Sequence, residues 1–255
     1  MALTLLAAYR ALDEPSLGRA AVLGAAAGLA TLTRGEALIL FPLLLIPFVR
    51  RPGGWAAAGV AVLICVVVLT PWSVRNWVTF DQPVLVSTNS GGAIGGANCE
   101  ATYYGDELGS WSLPCVSVHS GNEAERLDAS RRDGVRYARD HARRLPVVAA
   151  ARVGRVWSLY GPFQVPEGRS GRVNKLAVLL FFLLVPAAVW GALLLRRRGR
   201  EVWLLLAPFV AVTLTALTSY GNVRFRESAE VSLVVLAGIA LSSVRRAQVC
   251  AAEEP

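Results

Sequence analysis

The chain has 255 residues, 54% of them hydrophobic, with a mean hydropathy of +0.47 and a net charge of +8. Several apolar runs reach or approach the ~18 residues a membrane helix needs, which argues against an ordinary soluble domain. The positive charge does not point to nucleic acid, because Arg50-Arg51, Arg196-Arg197-Arg198 and Arg245-Arg246 flank apolar runs, as cytoplasmic membrane anchors do.

Met1 to Tyr9 is apolar but spans only ~13 Å as a helix, so it reads as part of a first membrane helix; it lacks the basic start and cleavage site of a signal peptide. Leu17 to Leu32 is rich in Ala and Gly, and Gly24 and Gly28 would let a neighbouring helix approach closely. Thr33-Arg34-Gly35-Glu36 interrupts the apolar pattern, and Ala37 to Val49 follows as a short run that crosses a bilayer only with local thinning. Trp55 to Trp72 is the next span, closed by Pro71 and interfacial Trp72 and Trp77. A polar excursion over 73–175 precedes the spans Leu176 to Leu195, Val202 to Ser219 and Val231 to about Val244.

The pattern predicts an all-α polytopic membrane protein of about six transmembrane helices, divided as membrane helices over 1–72, a large loop domain over 73–175, and membrane helices with a short tail over 176–255. Counting Lys and Arg in the short loops places Arg50-Arg51, Arg196 to Arg200 and the C-terminus in the cytoplasm. Thr33 to Glu36, the 73–175 loop and Tyr220 to Glu230 then share the extracytoplasmic face of the plasma membrane.

Of the four cysteines, only Cys99 and Cys115 share the outer loop. A disulfide between them would close a loop of about 17 residues, worth ~3 kcal/mol in the chain-entropy model; two free thiols are the alternative. No Cys-x-x-Cys or His-x-x-x-His spacing exists and His119 and His141 are isolated, so no metal site or cofactor is expected. Gly91 to Gly96 lacks the ending of a phosphate loop and suits a tight turn where backbone approaches backbone or ligand. Asn122 or Ser120 can cap a helix from Glu123, whose charges read as a solvated face. A second helix, from Leu145-Pro146 to about Tyr160, carries Arg152 and Arg155 one turn apart and would lie on the membrane surface with both at headgroup height.

Charges beside a bilayer are costly unless paired, solvated or functional. Arg34 and Glu36 lie at a break between apolar runs, and Arg224 and Arg226 lie in a short loop beside Tyr220, Asn222 and Glu227. Arginine pairs match phosphate best, and snorkelling interface anchors are the other reading.

Three stretches, Gly28-Leu29-Ala30-Thr31-Leu32-Thr33-Arg34-Gly35-Glu36-Ala37, Pro71-Trp72-Ser73-Val74-Arg75-Asn76 and Tyr220-Gly221-Asn222-Val223-Arg224-Phe225-Arg226, together resemble the membrane-embedded GT-C glycosyltransferases. These are the protein mannosyltransferases and aminoarabinose transferases, which take sugars from polyprenyl-phosphate carriers. Gly96-Ala97-Asn98-Cys99, Tyr103-Tyr104-Gly105, Gly109-Ser110-Trp111 and Cys115 look like the outer loop of an actinobacterial branch of that group.

The resemblance implies transfer of a sugar from a polyprenyl-phosphate-linked donor to an acceptor on the extracytoplasmic face. Arg34, Arg75, Arg224 and Arg226 would hold the carrier phosphate, with Tyr220 near the acceptor and Glu36, Arg152 and Arg155 as second choices. In that family the catalytic carboxylate lies in the first outer loop, after the first membrane helix. Nothing before Met1 to Tyr9 supplies it, so the chain resembles the family's C-terminal part; no family pattern makes Glu36, Asp81, Glu227 or Glu230 the base. A noncatalytic membrane protein that packs with or regulates a full-length transferase is the rival expectation. A transporter is disfavoured because no span carries a mid-membrane charge.

Overall fold

The computed structural model describes residues 1–162 and 171–253, with side chains described as far as Ser243. Of the expected outer loop, 163–170 lies outside the described residues, as do the side chains of Arg245, Arg246 and Cys250.

Among the described residues the chain is all-helical, without a strand. The helices are α1 (Ala2–Asp13), α2 (Leu17–Thr33), α3 (Ala37–Val49), α4 (Gly54–Phe80), α5 (Asn89–Ala97), α6 (Glu100–Tyr103), α7 (Glu123–Asp140), α8 (Leu145–Val156), α9 (Gly171–Arg197), α10 (Trp203–Thr218) and α11 (Glu227–Glu253). Two of them, α4 and α9, are long and apolar enough to cross a membrane, each with 27 residues; α2, α3 and α10 are apolar but shorter.

The ends of these helices differ from the sequence expectation. Pro71 does not close the fourth helix, which continues to Phe80 and stops where Asp81 takes a left-handed conformation. A proline removes only one helical hydrogen bond, and helix-breaking residues are tolerated inside apolar helices where neighbours cover the gap. The helix therefore extends well past residue 72, and α9 starts five residues before 176.

Packing of the apolar helices rests on small residues that let backbones approach closely. A methyl group on Gly24 would run into the Ala61 carbonyl, and one on Gly28 would overlap the Val68 side chain, so α2 and α4 lie backbone to backbone. The same device brings α9 to α11 at Gly191, opposite the Leu236 carbonyl. Between these pairs Leu12, Leu23, Leu40, Leu44 and Leu204 are fully buried.

The connectivity sorts the polar segments to two ends. At one end Tyr9 donates to the Glu201 carbonyl (2.7 Å), Trp203 Nε1 to the Leu43 carbonyl (2.7 Å) and Arg51 to the Leu12 carbonyl. One helix length away, the Arg34–Glu36 turn, the segment from Asp81 to Tyr160 and the Tyr220–Glu227 stretch come together.

That second end is a small helical layer. The Gly-rich stretch is not a turn but the helix α5, laid against α7: a methyl on Gly91 would strike the Leu127 carbonyl, one on Gly95 the Ser130 hydroxyl, and one on Gly134 the Ile94 carbonyl at 2.6 Å. Close backbone approach is what the glycines serve. Asn122 caps α7 in a reciprocal box: its Oδ1 accepts from Glu125 N (3.0 Å) while Glu125 Oε2 accepts from Asn122 N (2.9 Å). The sulfurs of Cys99 and Cys115 stand at bonding distance, with Cα atoms 6.0 Å apart.

Candidate functional site

At this end lies a cavity of about 1380 Å³. Its wall comes from five stretches distant in sequence: the α2–α3 turn with Arg34 and Glu36, Trp72 on α4, the segment Gln82 to Gly91, the face of α7 bearing Asp128 and Arg131, and the stretch after α10 with Tyr220 and Arg224.

The Gln82 to Gly91 rim is tied down by the last turns of α4. Trp72 Nε1 donates to the Val86 carbonyl (2.8 Å), Ser73 to the Leu85 carbonyl (2.7 Å), and Asn76 Nδ2 to the carbonyls of Val84 and Val86 (3.3 and 3.2 Å). Asn76 is buried because it satisfies these carbonyls, as buried polar groups must be satisfied. The Pro71 to Asn76 stretch thus acts as a clasp. Arg75 is not among the cavity-lining residues; it lies over the Trp72 ring (5.1 Å) and donates to Asn76 Oδ1 (3.1 Å).

The charges around the cavity divide into paired and open ones. Arg34 is paired with Glu227 (3.3 Å) and its Nη2 donates to the Arg224 carbonyl (3.3 Å), which joins the two basic segments. Asp128 accepts from Arg131 Nη2 (2.6 Å) and Nε (2.9 Å) and from Arg132 (2.9 Å). The Arg131 hydrogen bonds hold its carboxyl below the usual carboxylate range. By contrast, among the described residues neither the Arg224 guanidinium nor the Glu36 carboxylate has a hydrogen-bond or ion-pair partner.

Tyr220 lines the cavity with them, its ring edge-on to Phe225 (5.0 Å) and tilted against Trp111 (6.3 Å). Burial raises its hydroxyl's pKa above the ordinary 10.0, Arg224 works against that rise and Glu36 adds to it. At neutral pH the phenol is therefore a hydrogen-bond donor. An open cation, a carboxylate and a protonated phenol meet in one cavity, a combination able to hold a phosphate and accept a proton from a neighbouring hydroxyl.

The remaining expected arginines are engaged elsewhere. Arg152 and Arg155 are on α8, but it does not present them outward at headgroup height: both are buried. Arg152 Nη2 donates to the Ala97 carbonyl (2.7 Å) and Asn98 Oδ1 (3.0 Å), and Nη1 to the Leu217 carbonyl (3.3 Å). Arg155 donates to the carbonyls of Leu108 (2.6 Å) and Asp106 (2.7 Å). Carbonyls at the ends of α5 and α10 and in the 106–108 loop draw these guanidiniums inward, and burial pushes both below their ordinary pKa. Arg226 is also buried; its Nη1 donates to Ser158 (3.0 Å) and its guanidinium lies 4.0 Å from the Phe181 ring centre.

Of the residues expected from sequence, the cavity gathers Arg34, Glu36, Tyr220 and Arg224 and leaves out Arg75, Arg226, Arg152 and Arg155. Asp128, Arg131 and Trp72 line it unforeseen. The α7 pair was hidden in a charge run, and only the packing of Leu127 against Gly91 reveals which way that face turns.

The chain matches no family model, and no curated protein or solved structure shows significant similarity to it.

Proposed function

We propose that this is a polytopic plasma-membrane protein that binds a polyprenyl-phosphate-linked sugar in the cavity and transfers the sugar to an acceptor hydroxyl on the extracytoplasmic face. The observation that carries the reading is the convergence of Arg224, Glu36 and Tyr220 in one cavity beside a helix long enough to cross a bilayer. In this reading about six helices span the membrane, the Cys99–Cys115 disulfide forms in an oxidising compartment, and a membrane lipid supplies the carrier.

The acceptor oxygen attacks the anomeric carbon as that carbon's bond to the carrier phosphate oxygen breaks. The bond electrons leave with the phosphate, whose growing negative charge Arg224 meets with a bidentate, charge-assisted contact, and Arg34 reinforces the field. The hydroxyl proton passes to Glu36, and Tyr220 donates to the acceptor or to a phosphate oxygen.

A second reading, a carrier-binding protein without transferase activity, is favoured by Asp128, the other cavity carboxylate, whose lone pairs are engaged by Arg131 and Arg132. Proteoliposomes supplied with a polyprenyl-phosphate-linked radiolabelled hexose separate the two. Transferase action requires release of polyprenyl phosphate, which Glu36→Gln lowers by about a hundredfold while donor binding persists. Binding without release in the native protein supports the carrier-binding reading, and absence of both overturns the proposal.

A further inference from the structure

The loop between Cys99 and Cys115 touches α5, α7, α8 and the Tyr220–Gly221 stretch without lining the cavity. Its base is anchored by Arg152, which reaches Ala97 and Asn98 on one side and Leu217 on the other. Asn98 Oδ1 also accepts from the Tyr103 hydroxyl (2.7 Å). Its middle rests on Arg155 through Asp106 and Leu108.

From there the loop reaches the cavity's own residues. Gly221 N donates to the Gly109 carbonyl (2.8 Å), and the Trp111 ring lies against Tyr220 while its Nε1 donates to the Gly92 carbonyl (2.9 Å). A methyl on Gly96 would overlap the Trp111 indole, so the ring is held between α5 and Tyr220. Ser112 N returns to the Gly96 carbonyl (2.9 Å), and the two cysteine sulfurs meet at the loop's ends.

We infer that Trp111 is a positioning residue, and that the Cys99–Cys115 bond locks the loop bearing it so that Tyr220 and Arg224 are held at the cavity rim; reduction of that bond then weakens phosphate binding. The chemistry balances with a dithiol as reductant: two electrons and two protons convert the disulfide to two thiols while the dithiol closes to its own disulfide. The fold survives reduction because the arginine contacts remain, but the loop ends are no longer joined. The inference rests on the carrier-phosphate reading of the cavity.

Farnesyl phosphate, a short soluble polyprenyl phosphate, serves as the probe in a binding measurement on the detergent-purified full chain. Reduction with dithiothreitol, or Cys99→Ser with Cys115→Ser, is expected to weaken binding about tenfold with helical content unchanged, and reoxidation to restore it for the native chain. Trp111→Ala is expected to match that loss and Trp111→Phe to recover most of it, since a flat ring still backs Tyr220. Equal affinity in oxidised and reduced protein, or free thiols at both positions in the oxidised protein, overturns the inference while the carrier reading stands. If the oxidised protein binds no farnesyl phosphate, the carrier reading fails and takes this inference with it.

Discussion

Arg152 and Arg155 of α8 and Arg224 at the cavity rim look alike in sequence, each near the end of an apolar stretch, yet they come to opposite uses. Arg152 and Arg155 are buried and spend their donors on carbonyls of Ala97, Leu108, Asp106 and Leu217. Arg224 is exposed in the cavity wall, its guanidinium without a protein partner among the described residues. What separates them is the supply of orphan carbonyls. The carbonyls of Ala97, Asp106, Leu108 and Leu217 lie within reach of α8, whereas around the turn Val223–Arg226 the Arg224 carbonyl is already met by Arg34 Nη2, the Asn222 carbonyl by Phe225 N and Asn222 Oδ1 by Arg224 N. An arginine next to unsatisfied backbone becomes a brace, and one next to satisfied backbone stays available to a ligand.

The largest effect should come from removing the brace. Arg152→Ala strands the buried Ala97 carbonyl and removes the bonds to Asn98 and Leu217, and at roughly 1.5–3 kcal/mol per charge-assisted bond the loss is expected to be about 3 kcal/mol or more in detergent unfolding. Lysine is expected to rescue little, because one ammonium cannot span acceptors on both α5 and α10. Arg152→Ala that unfolds like the native protein would erase the distinction between the two arginine sets.

Gly95→Ala and Gly91→Ala test the layer the brace supports. Each methyl would meet α7 at the Ser130 hydroxyl or the Leu127 carbonyl, and overpacking of this kind costs about 1–3 kcal/mol. Thermal unfolding should register it, and no loss would mean that α5 and α7 are not in close contact.

At the rim the effect should appear in binding and not in stability. Arg224→Ala is expected to weaken farnesyl phosphate binding tenfold to a hundredfold, from about 1.4–2.8 kcal/mol of lost contact, with unfolding unchanged within about 0.5 kcal/mol. Arg75→Ala, outside the cavity, is expected to change binding less than about threefold. A large effect at Arg75 would move the phosphate site to the clasp.

The smallest effect concerns pH. Arg131 lowers the Asp128 carboxyl, and His119 does the same for Asp133 through a 2.8 Å contact, both from an ordinary 3.8. A carboxyl depressed on folding stabilises the fold fully above its unfolded pKa, and the contribution fades as pH falls through the lower folded value. Acid titration followed by circular dichroism should therefore show α7 loosening only below about pH 4, and Asp128→Asn should flatten that limb.

Much of the scaffold was legible because its signals are local. Gly24 and Gly28 announce close helix packing, a cap at Asn122 or Ser120 announces the start of α7, where Asn122 is the cap, and Cys99 and Cys115 are the pair that can meet. The gathering of Arg34, Glu36, Tyr220 and Arg224 was legible only through the alternation of spans, which sends their segments to one end. Other features depend on orientation, which composition does not encode. Asp128 and Arg131 differ from their charged neighbours only in the direction α7 turns, and Arg152 faces inward because of carbonyls some fifty positions away in the chain. Pro71 misled as a terminator because its lost hydrogen bond and ring clash, about 3 kcal/mol, are set against a long helix that gains from continuing to the clasp at Asn76.

The central claim, that a lipid phosphate sits against Arg224 in this cavity, is tested most directly by photocrosslinking. A polyprenyl phosphate bearing a diazirine in its first isoprene unit is irradiated with the oxidised full chain in liposomes, and the labelled peptides are mapped. The expected result is labelling of 33–39, 82–91 and 215–225 that excess farnesyl phosphate competes away and that Arg224→Ala reduces about tenfold or more. Labelling confined to the exposed apolar side of α9, unaffected by competitor and by Arg224→Ala, would contradict it.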